Sequence, residues 1–277
     1  MIIIAALAGL ASLGALHTLW VRYSYYRIGS KNAGGLTVVQ LSDLHGRIRF
    51  INGSLVRKVN RLNPDLVMIT GDLASRKGQL PKIMKEIQKI QCPRIFFVPG
   101  NYEREGMDGF RKKSYAQAEY DSILSQLRHR HVAVLDNRGV TVEHAGKRVL
   151  VYGFDNSVYG NERMTRSAED VQRHDAVILL AHSPSIIHYI SRHRIPFDLL
   201  LTGHTHGGQI RVMNRTIGAY RHFHTGLKIM NGSERFFIHR GLGTVKIPLR
   251  IGCSPEIAVF SLGGCFGQPA ETGAIRK

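Results

Sequence analysis

Five short apolar runs, LTVVQL (36–41), DLVMIT (65–70), RIFFV (94–98), AVILLA (176–181) and FDLLLTG (197–203), recur along a chain of 277 residues. Runs this apolar leave no wet face, so each reads as a strand covered on both sides, the usual condition of parallel strands in an α/β fold. Leu55, Val59 and Leu62 fall at helical spacing after a cap region at Asn52 and Ser54, and Pro64 ends that helix. Leu80, Ile83, Ile87 and Ile90 mark a second helix, so the first part of the chain reads β-α-β-α-β. Residues 117 to 128 read as a further helix, VTVEH and RVLVYG as a hairpin turning at Ala145-Gly146, and Ile186, Ile187 and Ile190 as a helix face. RFFIH and EIAVFSL supply two later strands. No internal repeat or interdomain linker interrupts the pattern.

The unusual polar residues stand at the ends of these strands, where open α/β sheets bind ligands. SDLH places Asp43 and His45 after the first strand, GD places Asp72 after the second, and GN places Asn101 after the third. AHS and GHTHGG add His182, His204 and His206. Taken singly, an Asp can cap a helix, an Asn can make a turn, and a His can be a satisfied core residue. Taken together, two carboxylates, an amide and four imidazoles form a costly cluster unless cations neutralise and coordinate it. Mixed carboxylate and imidazole ligands suit Mn, Fe or Zn better than calcium.

The ordered set D-x-H, G-D, G-N, H and G-H-x-H resembles the calcineurin-like metallophosphoesterases over roughly residues 36 to 262. GHTHGGQIR, HRGLGTVKIPLRI and SPEIAVFSL resemble the bacterial membrane-associated branch of that family. The resemblance implies two packed mixed β-sheets flanked by helices, a four-layer sandwich, and a site for two divalent metal ions, Mn2+ first among them. Carried over, it implies Asp43, His45 and His206 as ligands of one metal, Asn101, His182 and His204 as ligands of the other, and Asp72 as the bridge. Such a pair clamps a phosphoryl group and readies a metal-bound hydroxide for in-line attack. Gly71, Gly100 and Gly203 let the backbone turn closely around it.

One position departs from the family pattern. Tyr102 stands where the family usually has a histidine that contacts the phosphate and helps protonate the leaving group. A phenol is a weaker acid near neutrality than imidazole, which points to a substrate whose leaving group departs readily as an anion. The candidate catalytic residues are Asp72, Asn101 and Tyr102, with Tyr102 and Arg104 as substrate contacts. EREGMDGFRKKSY (103–115) carries Arg104, Arg111, Lys112 and Lys113, a basic stretch suited to a cap over an anionic substrate.

Ile2 to Val21 is uncharged and approaches the roughly 20 residues that span a bilayer. No basic residue precedes it and no A-x-A-like cleavage site follows, so an uncleaved anchor at 1–21 is expected rather than a signal peptide. Residues 22–35 then read as a juxtamembrane linker and 36–277 as the catalytic domain. Arg22, Arg27 and Lys31 put that domain on the cytoplasmic side of a bacterial membrane, and Trp20, Tyr23, Tyr25 and Tyr26 suit its interfacial belt. A formal charge of +18 favours anionic partners, here a membrane lipid surface and a phosphorylated or nucleotide-linked substrate. Nucleic acid is not expected, because no run of five basic residues or binding signature occurs. Cys92, Cys253 and Cys265 are far apart, which argues against a disulfide framework. Within the family, pyrophosphatases acting on UDP-diacylglucosamine combine a membrane-surface site with a nucleotide leaving group. An exported cell-wall phosphodiesterase and a noncatalytic metal-dependent scaffold are the alternatives.

Overall fold

The computed structural model describes residues 14–29, 33–109, 111–155, 157–212, 215–216 and 224–263. Two six-stranded mixed sheets organise the chain. The first runs, edge to edge, Arg22–Ile28, Glu256–Leu262, Leu36–Leu41, Leu66–Thr70, Arg94–Val98 and Val132–Val134. The second runs Arg138–His144, Lys147–Gly153, Ala176–Leu180, Leu199–Thr202, Arg235–Ile238 and Gly226–Ile229. Four strands in each are mutually parallel: Leu36–Leu41 through Val132–Val134 in the first, and Lys147–Gly153 through Arg235–Ile238 in the second.

Alternation along each strand sorts its side chains into separate cores. Val38, Met68, Phe96 and Phe260 of the first sheet pack against Val151, Ile178, Leu201 and Phe237 of the second. Val39, Ile69, Phe97 and Val259 point the other way, onto the helices Leu55–Asn60, Leu80–Ile87 and Gln117–Arg128. Leu150, Leu179 and Leu200 bury against Ile186 and Ile190 on the outer face of the second sheet. The expected order of layers, helix, sheet, sheet, helix, follows from these three clusters. Gln40, fully buried, joins the sheets at one edge by donating from Nε2 to Thr70 Oγ1 at 2.9 Å and to the Thr202 carbonyl at 3.0 Å.

The start of the chain differs from the sequence reading. Where residues 22–35 suggested a linker, Arg22–Ile28 is an edge strand paired in parallel with Glu256–Leu262. Its tyrosines belong partly to the domain: Tyr26 packs on Phe237 and Phe260 at ring separations of 5.0 and 5.4 Å, and Tyr23 donates to the Lys58 carbonyl. Aromatic residues suit a half-buried strand as well as a membrane interface, and the sequence alone reads either way. Most of the expected anchor, residues 1–13, lies outside the described residues. Among the described residues no helix is long and apolar enough to cross a membrane. Residues 14–19 are helical and held to the domain, with His17 Nδ1 accepting from Gly252 N, Thr18 Oγ1 from Arg250 N, and the Leu19 carbonyl from Ile51 N.

Candidate metal centre

Parallel neighbours end at the same edge of a sheet, so the loops after Leu36–Leu41, Leu66–Thr70 and Arg94–Val98 bring Asp43, His45, Asp72 and Asn101 side by side. The ends of Ala176–Leu180 and Leu199–Thr202 bring His182, His204 and His206 to the facing edge of the second sheet. The backbone turns sharply to aim these side chains inward. Asp43, His45, Asp72, His204 and His206 all have positive φ, between 44° and 67°. Five such residues, none of them glycine, are a concentration of strain of the kind that persists at functional sites. Gly71, at φ 79°, lets two loops touch: a Cβ there would stand 2.6 Å from both Gly100 N and His182 Nδ1.

The donor atoms form two groups that share one residue. Oxygens and imidazole nitrogens of Asp43, His45, Asp72 and His206 lie within 4.8 Å of one another, and so do those of Asp72, His182 and His204. In the first group His45 Nε2 is 3.1 Å from His206 Nε2, which is 3.3 Å from Asp43 Oδ1. In the second, His182 Nε2 is 3.0 Å from His204 Nδ1. Asp72 Oδ2 faces both groups, 3.5 Å from His45 Nε2 and 3.3 Å from His182 Nε2. Asn101, buried in the adjacent turn, has an Oδ1 with no hydrogen-bond partner among the described residues.

The surroundings fix the outer atoms of these side chains and so orient the inward ones toward each other. His182 Nδ1 donates to the Thr70 carbonyl at 2.8 Å, which fixes one proton there and turns Nε2 inward. His45 Nδ1 is 2.9 Å from Ser75 Oγ, and Asn101 Nδ2 donates to Glu105 Oε1 at 2.6 Å, which turns Oδ1 the other way. Imidazole nitrogens facing each other at 3.0 to 3.1 Å, with carboxylates beside them and an unpartnered amide oxygen nearby, fit divalent cations with mixed nitrogen and oxygen ligation.

The charges of these groups are strongly coupled. Burial pushes His45 down to about 4 and His204 down to about 3, and it also lowers His206. His182 goes the other way: burial disfavours its cation, but Asp72 and then Asp43 outweigh that and raise it to about 10. Burial and the Asp72 charge push Asp43 up to about 6, against the opposing pull of His182. Asp72 is held below the usual carboxylate range, its burial outweighed by His182 and His45, so it is the carboxylate that stays ionised.

Six of the seven expected ligand residues thus bring donor atoms together, and Asn101 lies in the adjacent turn. Tyr102 is buried beside the centre, its ring edge-on to His45 at 4.7 Å, its backbone N donating to Asp72 Oδ1 at 2.8 Å, and Lys112 Nζ 5.4 Å from its ring centre. Arg104 pairs with Asp155 at 2.9 Å and stacks on Tyr120 at 3.9 Å. The basic stretch at 103–115 contains a hairpin, Glu105–Asp108 with Arg111–Ser114, rather than a featureless loop.

Sequence reading missed the supporting carboxylates. Glu103 is buried and accepts from the amides of Asp72, Leu73 and Gly100 at 2.6 to 2.9 Å, so one carboxylate holds the Asp72 and Asn101 loops together. Burial and Asp72 push its pKa up to about 7.

A family model described as Calcineurin-like phosphoesterase matches residues 36–208. YpbG of Bacillus subtilis (strain 168) is 30% identical over 232 residues, which cover 83% of this chain and 82% of that protein. The metallophosphoesterase YkuE of the same organism is 27% identical, covering 82% of this chain and 79% of its own. A Danio rerio protein named Transmembrane protein with metallophosphoesterase domain is also 27% identical, covering 82% of this chain and 53% of its own.

Glu105→Ala is expected to release Asn101 and weaken one of two metal-binding steps by about 10- to 100-fold. Calorimetric titration of metal-free protein reads this, and two unchanged steps would remove Asn101 from the ligand set. Because a protonated imidazole cannot bind metal, the proton that Asp72 keeps on His182 must leave as metal enters. Apparent affinity should therefore rise with pH between about 6 and 9, by about tenfold per pH unit for a single released proton. Titration in buffers of different ionisation enthalpy counts that proton, and a pH-independent affinity would contradict it.

Proposed function

This chain belongs to the calcineurin-like phosphoesterase family, and we propose that it is a two-metal hydrolase acting on phosphodiester or diphosphate bonds. The observation that carries this reading is Asp72 Oδ2, shared between two otherwise separate groups of donors. Asp43, His45 and His206 would hold one cation, and His182, His204 and Asn101 the other, with Mn2+ favoured over Fe and Zn. A bound pair of divalent cations supplies charge neutralisation at the phosphoryl oxygens and acidifies water enough to serve as a nucleophile.

The remaining work falls to the chain. Asp72 keeps its charge and sets the spacing of the two groups, and Glu103 fixes the loop on which it sits. Tyr102, packed against His45, keeps bulk water from that side of the centre and offers a phenol where an imidazole would be a better acid. A substrate whose leaving group departs as a stable anion, such as a nucleotide released from a diphosphate, suits that arrangement. A lipid-linked nucleotide diphosphate is one such substrate. Exposed Leu16, Trp20, Ile51, Ile247 and Ile251 support placement at a membrane surface. One hydrogen bond from Ile51 N to the Leu19 carbonyl and one from Gly252 N to His17 Nδ1 tie residues 17–19 of the N-terminal apolar run to the segments that carry Ile51 and Ile251.

The purified chain with Mn2+ is expected to hydrolyse bis-p-nitrophenyl phosphate, and Asp72→Ala is expected to reduce the rate to background. Full metal binding with no hydrolysis of any phosphoester would leave a scaffold. Tyr102→His is expected to raise the rate on alkyl phosphoesters by about 10²-fold while changing that on p-nitrophenyl esters far less. Equal effects on both would remove the leaving-group argument.

A further inference from the structure

A groove of about 270 Å3 opens beside His45, lined by Arg47, Ile48, Arg49, Gln79 and Lys82. Three of its residues are cations and none is acidic. Elsewhere on the surface the basic residues are often matched, as in Arg166 with Asp170 and Lys77 with Glu119. Arg47, Arg49 and Lys82 enter no ion pair among the described residues. Arg47 goes further, because its buried Nε has no hydrogen-bond partner among the described residues. A buried guanidinium donor without an acceptor is costly unless a ligand completes it.

The position of the groove says what that ligand is attached to. His45 contributes to the lining and also stands in the metal centre, 3.1 Å from His206. The groove and the metal centre thus have one residue in common, with the enclosed His45 side chain among the centre's donors. Gly46, at φ 86°, and the Gln79 side chain lie against each other at the same place. The Gln79 Oε1 is taken by Arg76 N, which leaves its amide nitrogen as the donor end. The volume is below the usual range for a drug-sized ligand, and no Phe, Tyr or Trp lines it for a base to stack on. It suits a compact anion with several acceptor oxygens, which arginine forks and a lysine bind well.

We propose that this groove is a subsite for a second phosphate group of the substrate, joined to the one being cleaved, so that diphosphates and other polyphosphorylated small molecules are preferred over simple esters. This rests on the phosphoesterase reading for the identity of the neighbouring centre.

The test compares a nucleoside diphosphate with the corresponding monophosphate, by calorimetric binding to the full metal-loaded chain and by inhibition of bis-p-nitrophenyl phosphate hydrolysis. The wild type is expected to bind the diphosphate about tenfold or more tightly. Arg47→Gln with Lys82→Gln is expected to abolish that ratio, whereas Lys85→Gln, outside the groove on the same helix, keeps it. A wild type without the preference, or a double variant that retains it, overturns the subsite. Absence of hydrolysis with the binding preference intact would instead overturn the phosphoesterase reading, because the calorimetric arm needs no turnover.

Discussion

Asp72 carries a negative charge in a place with almost no water, within 3.5 Å of two histidines that belong to different sheets. Much else in the molecule serves that arrangement. A carboxylate so buried is stable only with compensating positive charge, and in the bare protein a proton on His182 provides it. Divalent cations would provide it better, because they would satisfy Asp43, Asp72 and the inward imidazole nitrogens at once. The unusual backbone of the ligand loops is the conformational cost of that convergence, and the two closely packed sheets are what keep the loops from relaxing.

The sheets must then hold a fixed register relative to each other. Apolar contacts between their inner faces give cohesion but little directional control, since such packing tolerates small slides. Directional control comes from polar groups buried at the functional edge. Gln40 reaches from the first sheet to Thr202 of the second, and His182 reaches back from the second to Thr70 of the first. These bonds lie directly below the centre, so the positions of its two halves are set where accuracy is needed.

The strands and their polar ends were legible because each run was apolar throughout and finished in residues that a core does not need. LTVVQL followed by Asp43 and His45, or FDLLLTG followed by His204 and His206, leaves few alternatives. Arg22–Ile28 was less legible, because RYSYYRI is an edge strand whose aromatic residues also fit a lipid boundary. Glu103, Glu105 and Ser75 were missed for a different reason. Their hydrogen bonds go to atoms whose proximity exists only after folding, so nothing in the local sequence distinguishes them from solvated residues. The Arg104–Asp155 pair was hidden by the same limit, since a basic residue two positions after Tyr102 says nothing of Asp155 lying within reach.

Glu103 also determines how the centre comes apart. Its two oxygens grip the amides at Asp72, Leu73 and Gly100, so the loop bearing the shared aspartate cannot swing out without abandoning the loop bearing Asn101. Independent fraying of either loop would strand a buried carboxylate among vacated partners, which is costlier than opening both. The two halves of the centre are thereby one mechanical unit. Disorder in one is transmitted to the other through the backbone, and the protein has little access to a half-built state.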